Sequence, residues 1–266
     1  MVAAPARVRE RLAAAPDGPR RTVHATGTAI YLDLDGGCLG VVSATAHRVP
    51  CALWSREPDL LRWREARVHV RSGELWLGED RVRLTRLVDV TAPRLPGRDR
   101  PTEAPALDAD VSAHLDHLAL PGRGPFTATH VAHLVGRGPG LTPLGDDVVA
   151  GWLVAARSLG LPHHDVADAV RGRLSATTPV TTPVTTPVTT PVSATLLDCA
   201  VRGECLPELG DWLRAPTDVT VAALLAVGST SGAGLLTGAL LAARQLSDQH
   251  PRQHPDQQPD SPGRAA

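Results

Sequence analysis

The densest cluster of chemistry-bearing residues is Gly136-Arg-Gly-Pro-Gly-Leu-Thr-Pro-Leu-Gly-Asp-Asp147, which runs into the apolar stretch 148–159. Gly138, Gly140 and Gly145 let the backbone approach a ligand closely, and Thr142 adds a hydroxyl. The helix that follows offers free N–H groups and the positive end of its dipole, so a small anion is the natural occupant. Asp146 and Asp147 complicate this, because a carboxylate there can cap the helix, hold a divalent cation or act as a catalytic general base. An anion and an uncompensated carboxylate repel. A functional reading therefore requires a bound cation at Asp146 and Asp147, or an amide-bearing anionic ligand that donates hydrogen bonds.

Two more hydroxyl-rich helix starts follow. Gly228-Ser229-Thr230-Ser231-Gly232 opens an apolar helix, either as a ligand site or as a cap with tight helix packing at Gly234 and Gly238. Thr189-Thr190-Pro-Val-Ser193 leads into a helix carrying Leu196 and Leu197, which Ser193 is expected to cap. Helix N-termini of this kind can converge on one polyanionic or carboxylate-bearing substrate, and the first loop and the Thr230–Gly232 turn are expected to face one another across a shared pocket. Other chemistries are disfavoured. The chain has no lysine, which removes Schiff-base chemistry and the phosphate-gripping residue of a P-loop. The glycine loop follows a helix-like segment and so is not a dinucleotide fingerprint, and no G-x-S-x-G elbow is present. His114, His117, His163 and His164 lack metal-ligand spacing and read as solvated surface. Cys38, Cys51, Cys199 and Cys205 form no C-x-x-C pair and read as reduced core thiols.

The elements that must position these residues form an α+β chain of 266 residues. The formal net charge of -1 and the aromatic share of 3% point away from nucleic acid. Residues 1–20 read as an N-terminal helical segment, with an amphipathic helix over 2–15. Residues 21–92 carry short period-two runs, with one strand over 22–35 turning through Asp35-Gly-Gly37, and suggest a small antiparallel sheet or barrel. A proline-rich linker over 93–105 leads to a helical ligand-binding domain over 106–248. Inside it Thr-Thr-Pro-Val occurs four times over 177–192, which excludes helix and predicts a protruding loop whose copy at Thr189 and Thr190 is the functional one. The tail 249–266 is expected to be disordered. The uncharged stretch 219–243 is long enough to span a bilayer, but its polar centre at 228–232 splits it into two helices, so no membrane span is expected. The start of the chain lacks a secretory signal, which implies a cytoplasmic protein.

Gly138-Pro-Gly-Leu-Thr-Pro-Leu-Gly-Asp-Asp147, Thr-Thr-Pro-Val-Ser-Ala before Leu196-Leu197, and Thr230-Ser-Gly232 with Leu235-Leu236-Thr-Gly238 stand in one order and spacing. In these motifs the sequence resembles the AllH-like family, once a domain of unknown function and now associated with a subunit of oxamate carbamoyltransferase. The resemblance covers about 110–245. It implies interconversion of oxalurate and phosphate with oxamate and carbamoyl phosphate in purine or allantoin nitrogen catabolism, by a complex of several different subunits. Three positions depart from the family pattern: Leu144 stands where Ser is expected, Ser229 where His is expected and Gly234 where Asp is expected. Two readings follow, a carbamoyltransferase subunit that binds or transforms substrate, and a non-catalytic scaffold or regulatory small-anion-binding protein.

Overall fold

The computed structural model describes residues 1–95, 105–121, 124–175 and 188–249. The chain opens with a strand, β1 (Val2–Pro5), where a helix over 2–15 is expected, and only then enters helix α1 (Ala6–Ala14). The reason is long-range pairing. Val2, Ala3 and Ala4 are buried and slot between β6 (Ala52–Ser55) and β10 (Leu84–Val88), and this outweighs the helical preference of alanine. The single strand expected over 22–35 is two, β3 (Thr22–Ala25) and β4 (Ala29–Leu34). Thr26 turns the chain between them by accepting the Ala29 N–H at 3.1 Å on its hydroxyl. The hairpin from β4 to β5 (Gly37–Val42) forms as expected, with Asp35 at φ 47° and Gly36 at φ 83°, the left-handed pair a two-residue turn demands.

These strands make a six-stranded sheet in the order β10-β1-β6-β5-β4-β3. A second sheet has the order β2-β7-β8-β9, from β2 (Gly18–Arg20), β7 (Val68–Arg71), β8 (Glu74–Leu77) and β9 (Asp80–Val82). Pairing is mixed where an all-antiparallel sheet is expected, since β1 runs parallel to β10 and β5 parallel to β6. Residues 43–51 carry the chain back between β5 and β6, a connection that hairpin spacing does not reveal.

The large sheet is buried on both faces. Ile30, Leu32 and Leu34 alternate with Tyr31 along β4, as Leu39 and Val41 alternate with Cys38 and Val42 along β5. The first set packs on the small sheet with Val68, Val70, Leu75 and Leu77. The second joins the core of the helical layer.

That layer comprises α2 (Ala109–Asp116), α3 (Ala128–Leu134), α4 (Leu144–Leu159), α5 (His164–Ser175), α6 (Pro191–Arg202), α7 (Pro207–Arg214), α8 (Asp218–Leu225) and α9 (Ser231–Gln249). Every residue of α4 except Arg157 is buried, so α4 is the axis of the layer. It meets α9 closely because both helices present glycine. A Cβ on Gly151 would lie 2.1 Å from Leu235 O, and one on Gly238 would lie 2.0 Å from Val148 O. The stretch 219–243 splits into α8 and α9 as expected, and among the described residues no helix is long and apolar enough to cross a membrane. Leu95 of the expected linker donates its N–H to Ser158 O at 2.7 Å, and residues 96–104 lie outside the described residues. Most of the Thr-Thr-Pro-Val repeat, 177–187, and the tail 250–266 also lie outside them.

Candidate functional site

The site begins with a loop that only glycine could build. Gly136, Gly138 and Gly140 adopt φ of 84°, 112° and 98°, which turns the chain from α3 into α4 without strain. The amides expected to be free for an anion are engaged within the protein. Gly136 N–H donates to Asp146 Oδ1 at 2.6 Å, Gly145 N–H to Arg137 O at 2.8 Å and Asp146 N–H to Pro143 O at 2.9 Å.

Asp146 is no cap of its own helix, and its oxygens tie three segments together. Besides Gly136 it accepts the Ser193 hydroxyl at 2.5 Å and the Thr189 hydroxyl, while being 1% exposed. Thr190 completes the junction by donating to Leu141 O at 2.5 Å. Thr190, rather than the expected Ser193, caps α6, accepting the Ser193 N–H at 3.1 Å. The physical reason is Pro191, whose fixed φ suits the first helical position and starts the helix two residues early. Burial raises the Asp146 pKa, opposed by the Ser193 and Thr189 hydroxyls and the Gly136 N–H.

Asp147, one residue on, looks the other way. It lines a pocket of about 230 Å³ between α4, α9 and the large sheet, together with Thr142, Ser231 and Tyr31. The Thr142 and Ser231 hydroxyls are 2.8 Å apart, so the glycine loop and the α9 turn meet directly at the pocket wall, as the sequence suggests. Asp147 is 7% exposed and its Oδ2 is buried without a hydrogen-bond partner among the described residues. Burial pushes its pKa up to about 8, with the Ser231 and Thr142 hydroxyls pulling down and the neighbouring Asp146 adding to the rise. At neutral pH Asp147 is thus mostly a neutral carboxylic acid, able to donate a hydrogen bond as well as accept one.

The remaining residues singled out in the sequence divide by role. Gly145 and Gly232 permit close contact, because a Cβ would sit 2.1 Å from Leu134 O and 1.9 Å from Leu224 O respectively. Gly138 leaves room for Leu144, and Gly140 faces open space. Ser229 is exposed on its turn, and Thr230 accepts the Gly234 N–H through its carbonyl at 3.0 Å. Two departures from the family pattern touch one another: a Cβ on Gly234 would meet Leu144 Cδ1 at 2.9 Å and Asp147 Cβ at 2.7 Å. Leu144 fills the space that a side chain on residue 234 would enter.

Sequence reasoning misses Tyr31 and His47, which the sheet side adds to the pocket. His47 Nδ1 lies 3.1 Å from Glu208 Oε1 and its Nε2 lies 3.1 Å from Ala226 O, clasping the loop after β5 to α7 and α8. The alternation along β4 marks Tyr31 as facing away from Ile30 and Leu32, but nothing local says what covers that face. The residues present do not fit a divalent cation at Asp146 and Asp147. The Asp146 oxygens already accept three donors, and no group of three or more His, Cys, Asp or Glu among the described residues could hold a metal. The four cysteines are buried and free, and Arg7 donates to Cys199 Sγ at 2.7 Å.

Fold and site together define a helical layer on a two-sided sheet, with a buried carboxyl on the wall of a small pocket between them. Residues 134–243, which contain all three motifs, match the model of the family AllH, oxamate carbamoyltransferase subunit AllH, and this bears out the resemblance read from the loops. No curated protein and no solved structure matches the chain.

Proposed function

We propose that this chain is a subunit of an oxamate carbamoyltransferase-like complex, which interconverts oxalurate plus phosphate with oxamate plus carbamoyl phosphate in purine or allantoin nitrogen catabolism in the cytoplasm. The observation that carries the reading is the Asp147 carboxyl, kept neutral by burial on the wall of a pocket that Thr142 and Ser231 also line. A carboxyl held neutral does not repel an anion. It can donate to a ligand carbonyl or carboxylate while the two hydroxyls take the remaining polar atoms, which suits a small anion bearing an amide. Asp146, Thr189, Thr190 and Ser193 act on the ligand only by holding the loop that carries Thr142. Other subunits would supply what the pocket lacks, since no arginine lines it.

The contact of Leu144 with residue 234 favours a second reading, a ligand-binding subunit that is not itself catalytic. With leucine and glycine there, Asp147 is the one carboxylate of the α4 and α9 starts that faces the pocket. Thermal shift with oxalurate, oxamate and carbamoyl phosphate on the wild type and Asp147→Asn tests ligand binding, and phosphate-dependent oxalurate cleavage with partner subunits added separates the two readings. Stabilisation by oxamate or oxalurate that Asp147→Asn removes is expected. Equal stabilisation of both proteins, or none by any of the three, refutes the role of the pocket.

A further inference from the structure

A second cavity, of about 660 Å³, lies on another face of α6. Pro191, Ala194, Thr195, Asp198 and Arg202 line it, whereas Val192, Leu196 and Ala200 line the Asp147 pocket. These two sets are separate stripes at helical spacing, so a single helix divides the cavities. The opposite wall is α1 and the β4–β5 hairpin.

Four arginines reach this cleft from three parts of the chain, namely Arg7 and Arg11 one turn apart on α1, Arg21 before β3, and Arg202 at the end of α6. Three are balanced. Arg7 bonds Glu204 and shares Asp198 with Arg202, and Arg21 pairs with Asp33 at 3.1 Å. Arg11 differs. Its guanidinium donates to the backbone carbonyls of Cys38 at 2.8 Å and Leu34 at 2.7 Å, and among the described residues no carboxylate pairs with it. The hairpin makes room for it, since a Cβ on Gly37 would lie 3.0 Å from Arg11 Nη2. The two carbonyls engage only part of the five-donor guanidinium fork, and Arg11 lines the cavity. Asp33, Asp35 and Asp198 also line the cavity; Arg21 holds Asp33 and Arg7 and Arg202 hold Asp198, so Asp35 is the acidic group unpaired among the described residues and opposed to an incoming anion.

We propose that this cleft binds a small organic phosphate. Arg11 takes the phosphate group, Arg21 and Arg202, exposed at their ion pairs, share their remaining N–H donors between Asp33 or Asp198 and the phosphate, and the organic body lies on Val188 and Pro191. Guanidinium forks match phosphate oxygens, and the volume falls within the range of small-ligand sites. The site is distinct from the Asp147 pocket, so its ligand is a second one.

Calorimetry on the full chain at low salt, with adenosine monophosphate and inorganic phosphate as probes, tests this. Saturable binding of the nucleotide is expected, weakened about tenfold or more in Arg11→Gln, as for loss of a charge-assisted hydrogen bond, and unchanged in Asp147→Asn. The last arm separates this site from the proposed amide site. Absence of saturable binding by either probe up to about 10 mM, a level matching only the weakest specific affinities, overturns the proposal. So does a folded Arg11→Gln that binds as the wild type does. Should Arg11→Gln fail to fold by circular dichroism, the exposed double variant Arg21→Gln/Arg202→Gln decides: weakened binding supports the site and unchanged binding refutes it.

Discussion

Replacing Asp147 by Asn keeps the shape of a neutral carboxyl while removing its ability to ionise. Burial raises the Asp147 pKa from 3.8 to about 8, so the folded chain holds a proton that the unfolded chain releases near pH 4. A group whose pKa is raised on folding stabilises fully below its unfolded pKa and loses that contribution as pH rises toward the folded value. Each pH unit between the two is worth about 1.4 kcal/mol. The wild type should therefore lose about 4 kcal/mol relative to Asp147→Asn between pH 4 and pH 7, and little more beyond pH 8. Urea unfolding of both proteins at several pH values measures this, and taking the difference cancels the titrating groups that Asp147 does not touch, leaving Asp147 and its coupling to Asp146. The variant should overtake the wild type as pH rises. A difference that stays constant within about 1 kcal/mol from pH 4 to pH 8 would refute the reasoning, because it would mean that Asp147 is ionised and hydrated in the folded protein.

Substitutions at three further residues probe the supports of the site. Asp146→Ala strands the Gly136 N–H and the Ser193 and Thr189 hydroxyls, and should cost about 3–5 kcal/mol in urea unfolding, whereas Asp146→Asn, which keeps one acceptor, should cost about 1–2 kcal/mol. Gly238→Ala drives a methyl against Val148 O and Trp152 N, so a loss of about 3 kcal/mol and a lower Tm are expected. Thr190→Ala removes the cap of α6 and the bond to Leu141 O, and should cost about 1–2 kcal/mol, with faster amide exchange at the start of α6.

What could be read from the sequence was local. The Asp35-Gly36 turn, the break at 228–232 and the glycine loop all act through the φ their own residues can adopt, so their types announce them. What could not be read depended on distant partners. Val2-Ala-Ala looks helical until β10, some eighty residues on, is there to pair with it. Tyr31 reaches the pocket because the large sheet is covered on both faces, and alternation along a strand does not say which layer covers which face, while His47 reaches it from the 43–51 connection, which has no periodicity to read. Ser193 reads as a cap from its type alone, because serine often is one. The neighbouring Pro191 moved the helix start and sent the Ser193 hydroxyl to Asp146 instead.

Two adjacent aspartates at the start of α4 read alike in the sequence, yet helical geometry separates successive side chains by about 100°. One therefore faces α6 and the glycine loop, and the other faces α9. The consequences are opposite. Asp146 gains three donors and becomes a tie, while Asp147 meets a glycine on α9 that offers no partner, and its Oδ2 is buried and unmatched beside the pocket. The loop held by Asp146 carries Thr142, whose bond to Ser231 fixes the two hydroxyls beside the Asp147 carboxyl. A buried polar atom without a partner costs on the order of 1–3 kcal/mol, and here it sits on the wall of the cavity between the loop, α9 and the sheet. Oδ2 has almost no accessible surface, so a ligand recovers that energy only if the carboxyl turns toward the cavity, and the Asp147→Asn comparison in thermal shift reads whether it does.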